Sequence, residues 1–382
     1  MYGLYIHIPY CVHKCFYCDF YSIENLNSRN NFARALKREV ELFTENYNYK
    51  PKISTIFFGG GTPSLLKPHQ FEIIAQAIFD NFELIDDFEW TMECNPGTLD
   101  SKYLDFYKSF GVNRLSFGVQ SFNEEELKFL ERIHSINDIY SSIEIARKLG
   151  FDNINIDLMF ALPNQTEESW KNTLKKALEL ETEHISAYSL IYEDNTPLKE
   201  EYLKGKIKKT DDDTDYNMYK ICNEILGSNN FIQYEVSNYS KENFQCRHNL
   251  NYWKQGEYFA FGPSAHSFLG NKRSWNFRSN DIYFKYINQS KLPIENYEIL
   301  TKKELILERI YLELRAEGLN LLKFKNDFGI DILELIDESL YNKYSNKFNL
   351  ENNYIKLNND GYFISDNITI DFYNKIENLI KI

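Results

Sequence analysis

Six short apolar runs alternate with helix-length amphipathic stretches over the first half of this 382-residue chain. The runs are Tyr5–Pro9, Ser54–Phe58, Phe88–Cys94, Asn113–Val119, Asn153–Phe160 and His184–Leu190. Between them lie stripes at helical spacing, such as Phe32, Leu36, Val40 and Phe43, or Phe71, Ile74, Ala75 and Ile78. Strands separated by helices of this length build βαβ units and a parallel sheet. A closed barrel of this kind needs about eight strands, so six predict an α/β fold of partial, open (β/α)6 barrel type. The residues that can carry chemistry gather just past the C-terminal ends of the runs, the face where such sheets place their sites.

The first run leads into Cys11-Val12-His13-Lys14-Cys15-Phe16-Tyr17-Cys18, three cysteines spaced C-x3-C-x2-C. Thiolates suit zinc or iron–sulfur clusters. Zinc would need a fourth ligand from His7 or His13, and structural zinc sites usually draw on two separated ligand pairs, of which there is one here. Three thiolates on a four-iron cluster leave one iron open to another ligand. The other cysteines follow different logic. Cys94 and Cys222 stand in apolar surroundings and read as core thiols. Nothing ahead of Cys11 resembles a leader and no apolar run reaches the ~18 residues of a membrane span. The expected location is the cytosol, where a disulfide framework is not expected.

The remaining strand ends fit a ligand bearing an amino-acid group and a ribose. Gly60 and Gly61, with Thr62, offer backbone that a ligand can approach closely, and no Gly-Lys-Ser/Thr follows to make a P-loop. Glu93 and Asp157 can accept hydrogen bonds from an amine or from hydroxyls, Arg132 can pair with a carboxylate, and Gln120 can do either. Each alone also reads as a helix cap or a polar barrel residue. Asp211-Asp212-Asp213 is read as an acid-rich helix start rather than a cation site. With 43 basic and 56 acidic residues the net charge is −13, against a chain-wide nucleic-acid footprint.

Tyr5-Ile6-His7-Ile8-Pro9 and the cysteine spacing resemble the radical S-adenosylmethionine (SAM) superfamily. Within it, Gly59-Gly60-Gly61-Thr62-Pro63, Glu93-Cys94-Asn95-Pro96, Ser116–Phe122 and Asp157-Leu158-Met159 resemble the oxygen-independent coproporphyrinogen III oxidases and the related HemW haem chaperones. The resemblance implies that Cys11, Cys15 and Cys18 bind a [4Fe–4S] cluster whose fourth iron takes SAM. It implies SAM contacts from Tyr5, Tyr17, Gly60, Gly61, Thr62, Glu93, Gln120, Arg132 and Asp157. Members often carry glycine where this chain has Glu131, Ala161 and Asn164, and Glu131 is expected to weaken the hold of Arg132 on a carboxylate.

Two details separate the sub-families. The oxidases carry a further cysteine two residues past the last ligand, where this chain has Phe20. HemW-type proteins carry H-N-x-x-Y-W, present as His248-Asn249-Leu250-Asn251-Tyr252-Trp253. Imidazole is a common haem ligand, so His248 is the expected haem contact, with Cys246 as the alternative; a structural histidine beside core aromatics is the competing reading. The resemblance implies a haem chaperone that passes haem to an acceptor protein, for instance a membrane-bound respiratory one, with an electron donor serving the cluster and no residue assigned a catalytic role. Oxidative decarboxylation of coproporphyrinogen III is the alternative. Residues 1–195 are expected to form the barrel, 196–296 its extension, and 297–382 a small α+β, winged-helix-like domain with a hairpin of Tyr354–Leu357 and Tyr362–Ile364.

Overall fold

A computed structural model describes residues 1–45, 47–336 and 338–379. Strands β1 (Tyr2–Ile8), β2 (Lys52–Gly60), β3 (Glu83–Cys94), β4 (Arg114–Gln120), β5 (Ile154–Phe160) and β6 (His184–Ser189) lie side by side in that order, all parallel. Their connections hold α1 (Arg29–Thr44), α2 (Pro68–Asn81), α3 (Ser101–Ser109), α4 (Glu124–Phe129), α5 (Ile136–Lys148) and α6 (Glu167–Leu178). The expected six-stranded α/β arrangement is present.

Alternation along each strand decides what the two faces do. Leu4, Ile6 and Ile8, Phe58, Trp90 and Met92, Leu115 and Phe117, Ile154 and Ile156 join Phe32, Leu36, Phe71 and Ile74 in one buried core between sheet and helices. The residues in between turn to the concave face and are polar: Thr55, Glu89, Thr91, Arg114, Ser116, Asn155 and His184 are all buried there. The helices start on sequence-encoded caps. The Asn123 side chain accepts from the backbone of Glu125 and Glu126 at the start of α4, and Ser135 with Asp138 forms a capping box on α5.

Residues past β6 extend the same sheet at both edges. After α7 (Pro197–Leu203) and α8 (Asp212–Gly227), β7 (Ile232–Gln233) and β8 (Asn238–Ser240) add antiparallel to β6. Asp211 caps α8 through the Thr214 N–H, as read from the sequence. Beyond α9 (Arg247–Trp253), β9 (Tyr258–Phe261) pairs parallel with β1, followed antiparallel by β10 (His266–Leu269), β11 (Lys272–Asn276) and, after α10 (Asn280–Asn288), β12 (Ile294–Ile299). The sheet therefore has twelve strands and stays open. All six cysteines are free. Among the described residues no helix is long and apolar enough to cross a membrane.

The C-terminal part runs α11 (Lys302–Leu314), β13 (Leu319–Asn320), α12 (Leu321–Phe328), α13 (Ile332–Leu335), α14 (Glu338–Tyr344), β14 (Phe348–Glu351), β15 (Tyr354–Leu357), α15 (Asn359–Phe363) and α16 (Ser365–Leu379). Its sheet order, β13-β15-β14, is antiparallel throughout. The hairpin differs from the expected one. Its turn is Asn352-Asn353, both left-handed at φ 51° and 65°, the backbone a two-residue hairpin turn requires. Tyr362 is helical instead, because Asn358 accepts from the Gly361 N–H and starts α15.

Candidate functional site

The loop after β1 folds back on its own strand. Cys11 N–H donates to the Ile23 carbonyl, Ile23 N–H to the Pro9 carbonyl, and Cys18 N–H to the Cys15 carbonyl. These bonds aim Cys11, Cys15 and Cys18 into one cavity of about 540 Å3 at the C-terminal ends of the strands. Cys11 is buried and accepts from the Thr62 hydroxyl at 3.6 Å; Cys15 and Cys18 are half-buried. Burial pushes the Cys18 thiol up to about 11, so a metal binding there must displace protons.

Gly60 and Gly61 line the cavity, and the packing behind them explains both glycines. A Cβ on Gly60, at φ +103°, would fall 2.5 Å from the His7 ring. One on Gly61 would fall 2.7 Å from the carbonyl oxygens of Ile8 and Tyr10. The end of β2 can lie against the root of the cysteine loop only without side chains. Thr62 is buried behind the wall, donating to Cys11 and accepting from the Asn95 amide at 2.9 Å.

Glu93, Asp157, Gln120, Arg132 and Tyr17 all reach the cavity. The Glu93 carboxylate accepts the Gly60 N–H at 3.1 Å. Burial, reinforced by Asp157, raises its titration from 4.5 to about 8. Burial also raises Asp157, opposed by the Asn155 amide at 2.8 Å. Two buried acids sharing a cavity favour a ligand that brings positive charge or hydrogen-bond donors. The Arg132 guanidinium donates to Asn95 Oδ1 at 2.7 Å, the Gly118 carbonyl at 2.6 Å and Cys15 Sγ at 3.3 Å, while its buried Nε has no partner among the described residues. The Glu131 carboxylate, next to Arg132 in sequence, meets His13 Nε2 at 3.3 Å.

Tyr5 and His248 lie away from the cavity lining. Tyr5 is held on His7 Nδ1 at 3.2 Å in the barrel interior. His248 is buried toward the N-terminal ends of the strands: Thr55, its partner, lies four residues before Gly59, roughly 13 Å along β2. Its Nδ1 meets the Thr55 hydroxyl at 2.8 Å and its Nε2 the Tyr252 hydroxyl at 2.7 Å. Both ring nitrogens are used, and burial lowers its titration to about 3. The Glu89 carboxylate accepts the backbone N–H groups of Arg247 and His248 and pins the start of α9. Cys246 is buried against the same carboxylate at 3.6 Å. Both ring nitrogens of His248 are thus hydrogen-bonded, and Cys246 is buried beside it. Zinc fares no better. His7 Nε2 meets the Tyr21 carbonyl at 2.8 Å, and His13 is held between Glu24 and Glu131, so neither completes a fourth position.

Several cavity residues escaped the sequence reading. Asn95 links Thr62 to Arg132, Tyr188 donates to Gln120 Oε1 at 2.9 Å, and Ser116 and Ser186 stand beside Asp157. Arg114, buried beneath them, balances Glu89 and Asp157. Their signal was the polar half of each strand's alternation, which apolar runs conceal.

The radical SAM superfamily model matches residues 5–177. The haem chaperone HemW of Lactococcus lactis is 35% identical over 375 residues, covering 95% of this chain and 97% of that protein. The chain belongs to the HemW family of radical SAM proteins. The Bacillus subtilis haem chaperone HemW is 36% identical over 333 residues, covering 86% and 87%. Escherichia coli coproporphyrinogen III oxidase (HemN), a radical SAM enzyme, shares the fold at a TM-score of 0.83 over 97% of this chain and 89% of its own, with 22% identity. Radical SAM membership implies a [4Fe–4S] cluster and SAM. The three glycine departures fall on left-handed backbone: Glu131, Ala161 and Asn164 have φ of 54°, 57° and 64°.

Proposed function

We propose that this protein is a haem carrier built on a radical SAM barrel, receiving haem and handing it to an acceptor protein. The observation that carries the reading is near-full-length identity to proteins named haem chaperones, joined to an exposed Phe20 where the oxidases have cysteine. Cys11, Cys15 and Cys18 hold the cluster. Glu93 and Asp157 receive the donor groups of SAM, and the Arg132 fork, steadied by Asn95 and the Gly118 carbonyl, faces its carboxylate. When bound, the cluster supplies one electron at a time and the site at which SAM can be cleaved. The protein's part is to orient and to exclude water: the Gly60 N–H fixes the Glu93 carboxylate and Tyr188 fixes Gln120. The acceptor is a haem-requiring protein, a membrane-bound respiratory one being the kind the resemblance implies, and an electron donor reduces the cluster.

The test is anaerobic reconstitution with iron and sulfide, followed by two parallel assays. Saturable haem uptake and transfer to an apo-haemoprotein are expected. Conversion of coproporphyrinogen III to protoporphyrinogen in the presence of SAM and reductant, without haem uptake, overturns the reading in favour of the oxidase.

A further inference from the structure

Two of the three cysteine sulfurs at the cavity receive side-chain hydrogen bonds, and the two donors are joined. The Thr62 hydroxyl reaches Cys11 Sγ at 3.6 Å, and the Arg132 guanidinium reaches Cys15 Sγ at 3.3 Å. Between them stands Asn95. Its Oδ1 accepts from Arg132 Nη2 at 2.7 Å, and its Nδ2 donates to Thr62 Oγ1 at 2.9 Å. Cys18 has a donor of another kind, the backbone N–H of Phe20.

The direction of every proton in this relay follows from Arg132. A guanidinium only donates, so the oxygen of the Asn95 amide faces it and the nitrogen faces Thr62. The Thr62 oxygen thereby accepts, and its own proton is left for Cys11. Thr62 is 1% exposed, so water does not compete for that hydroxyl. Asn95 is itself pinned through its backbone. Its carbonyl accepts the Thr98 N–H at 3.2 Å and the Thr98 hydroxyl at 2.6 Å. Gly118 leaves room for the relay to close: a Cβ there would lie 3.1 Å from Arg132 Nη2 and 3.2 Å from Asn95 Oδ1.

We infer that Asn95 is a positioning residue that turns the Thr62 hydroxyl and the Arg132 guanidinium onto Cys11 and Cys15, and that these two donors raise the reduction potential of the [4Fe–4S] cluster held there. This rests on the assignment of the cluster to Cys11, Cys15 and Cys18. A reduced cluster carries one more negative charge than an oxidised one, and its cysteine sulfurs share that charge. Hydrogen bonds to the sulfurs therefore favour the reduced state. The role is distinct from contact with SAM, since Thr62 stands behind the cavity wall and is not among the residues lining it.

The test is anaerobic potentiometric titration of the reconstituted full-length protein without SAM, read by the electron paramagnetic resonance signal of the reduced cluster, with iron and sulfide content measured alongside. Thr62→Val keeps the shape and removes the proton. Its reduction equilibrium is expected to move about three- to tenfold toward the oxidised state, a potential about 30–60 mV more negative. Thr62→Ser keeps the hydroxyl and is expected to hold the wild-type potential. Asn95→Asp keeps the size, draws the Thr62 proton onto its own carboxylate and adds a negative charge, so its potential is expected to fall too. The double variant is expected to fall by less than the two shifts together, because the hydroxyl that Asp redirects is already gone. A wild-type potential in Thr62→Val overturns the relay, as do strictly additive shifts in the double variant. Should Thr62→Val fail to hold iron, Thr62→Ala, which also lacks the hydroxyl, replaces it and carries the same prediction. If the wild type binds no four-iron cluster, the cluster assignment itself fails, a result distinct from either.

Discussion

Replacing His248 with alanine should cost stability and leave haem ligation intact. The imidazole is 1% exposed, stacks on Phe57 at 5.2 Å, meets the Tyr252 ring edge-on at 4.7 Å, and satisfies two hydroxyls. Its removal leaves the Thr55 hydroxyl, 2% exposed, without a partner, a cost of about 1–3 kcal/mol. The emptied ring space in a packed interior adds about 2 kcal/mol. The sum, about 3–5 kcal/mol, is large for one substitution and should move the urea midpoint down by about 1–2 M. A double-mutant cycle localises the effect: Thr55→Val should cost about 1 kcal/mol less in the His248→Ala background than in wild type. Circular dichroism during urea unfolding gives the stabilities, and haem titration of the folded variant gives the ligation. Stability within about 0.5 kcal/mol of wild type, together with loss of the haem spectrum, refutes the reasoning and restores His248 as the ligand.

Gly61→Ala places a methyl 2.7 Å from two backbone oxygens that cannot rotate aside, so the cysteine loop must shift; iron content after anaerobic reconstitution should fall well below wild type, and full iron loading contradicts this. Glu93 titrates near 8 in the folded chain against an ordinary 4.5. The folded state therefore holds a proton that the unfolded state has released, and stability declines as pH rises from 4.5 to about 8, then levels. Glu93→Gln should flatten that part of the profile in urea unfolding of the metal-free protein, and should weaken SAM binding by about tenfold in calorimetry of the cluster-loaded protein. Ala161→Gly relieves a left-handed residue at φ 57° and should raise stability by about 0.5–1 kcal/mol; a loss would show that the alanine methyl is needed for packing.

The six parallel strands were legible because one face of each packs on helices, so their apolar residues stand out. The strands that widen the sheet were not. β9 has four residues, and its partner β1 lies more than 250 residues earlier in the chain; no local pattern encodes a pairing that tertiary packing alone decides. The misplaced hairpin has the same cause on a smaller scale. Asn358-Asn359-Asp360-Gly361 and Asn352-Asn353 are both good turn sequences. The choice falls to packing: Tyr362 is buried, donating to the Ala316 carbonyl, and Asn358 is drawn into capping the helix that carries it. His248 shows the limit for sites. A motif specifies which residues are together and is silent on whether an imidazole nitrogen is open, and here two hydroxyls occupy both.

The glycine departures were legible as departures and opaque as to consequence. Position 131 is left-handed whatever residue occupies it, because the chain turns there between α4 and Arg132, with Arg132 N–H bonded back to the Leu127 carbonyl. Glutamate costs about 1 kcal/mol at such a φ. Its side chain gives back part of that through His13, whose other nitrogen meets Glu24 at 3.2 Å; exposed pairs of this kind contribute about 0–1 kcal/mol. The net stability change is small, and the geometric change is larger. The substitution ties the cysteine loop, through His13, to the turn that positions Arg132, the residue whose guanidinium also touches Cys15. Read as a sequence, Glu131 threatened the grip of Arg132; in the fold it joins the two halves of the site that Arg132 spans.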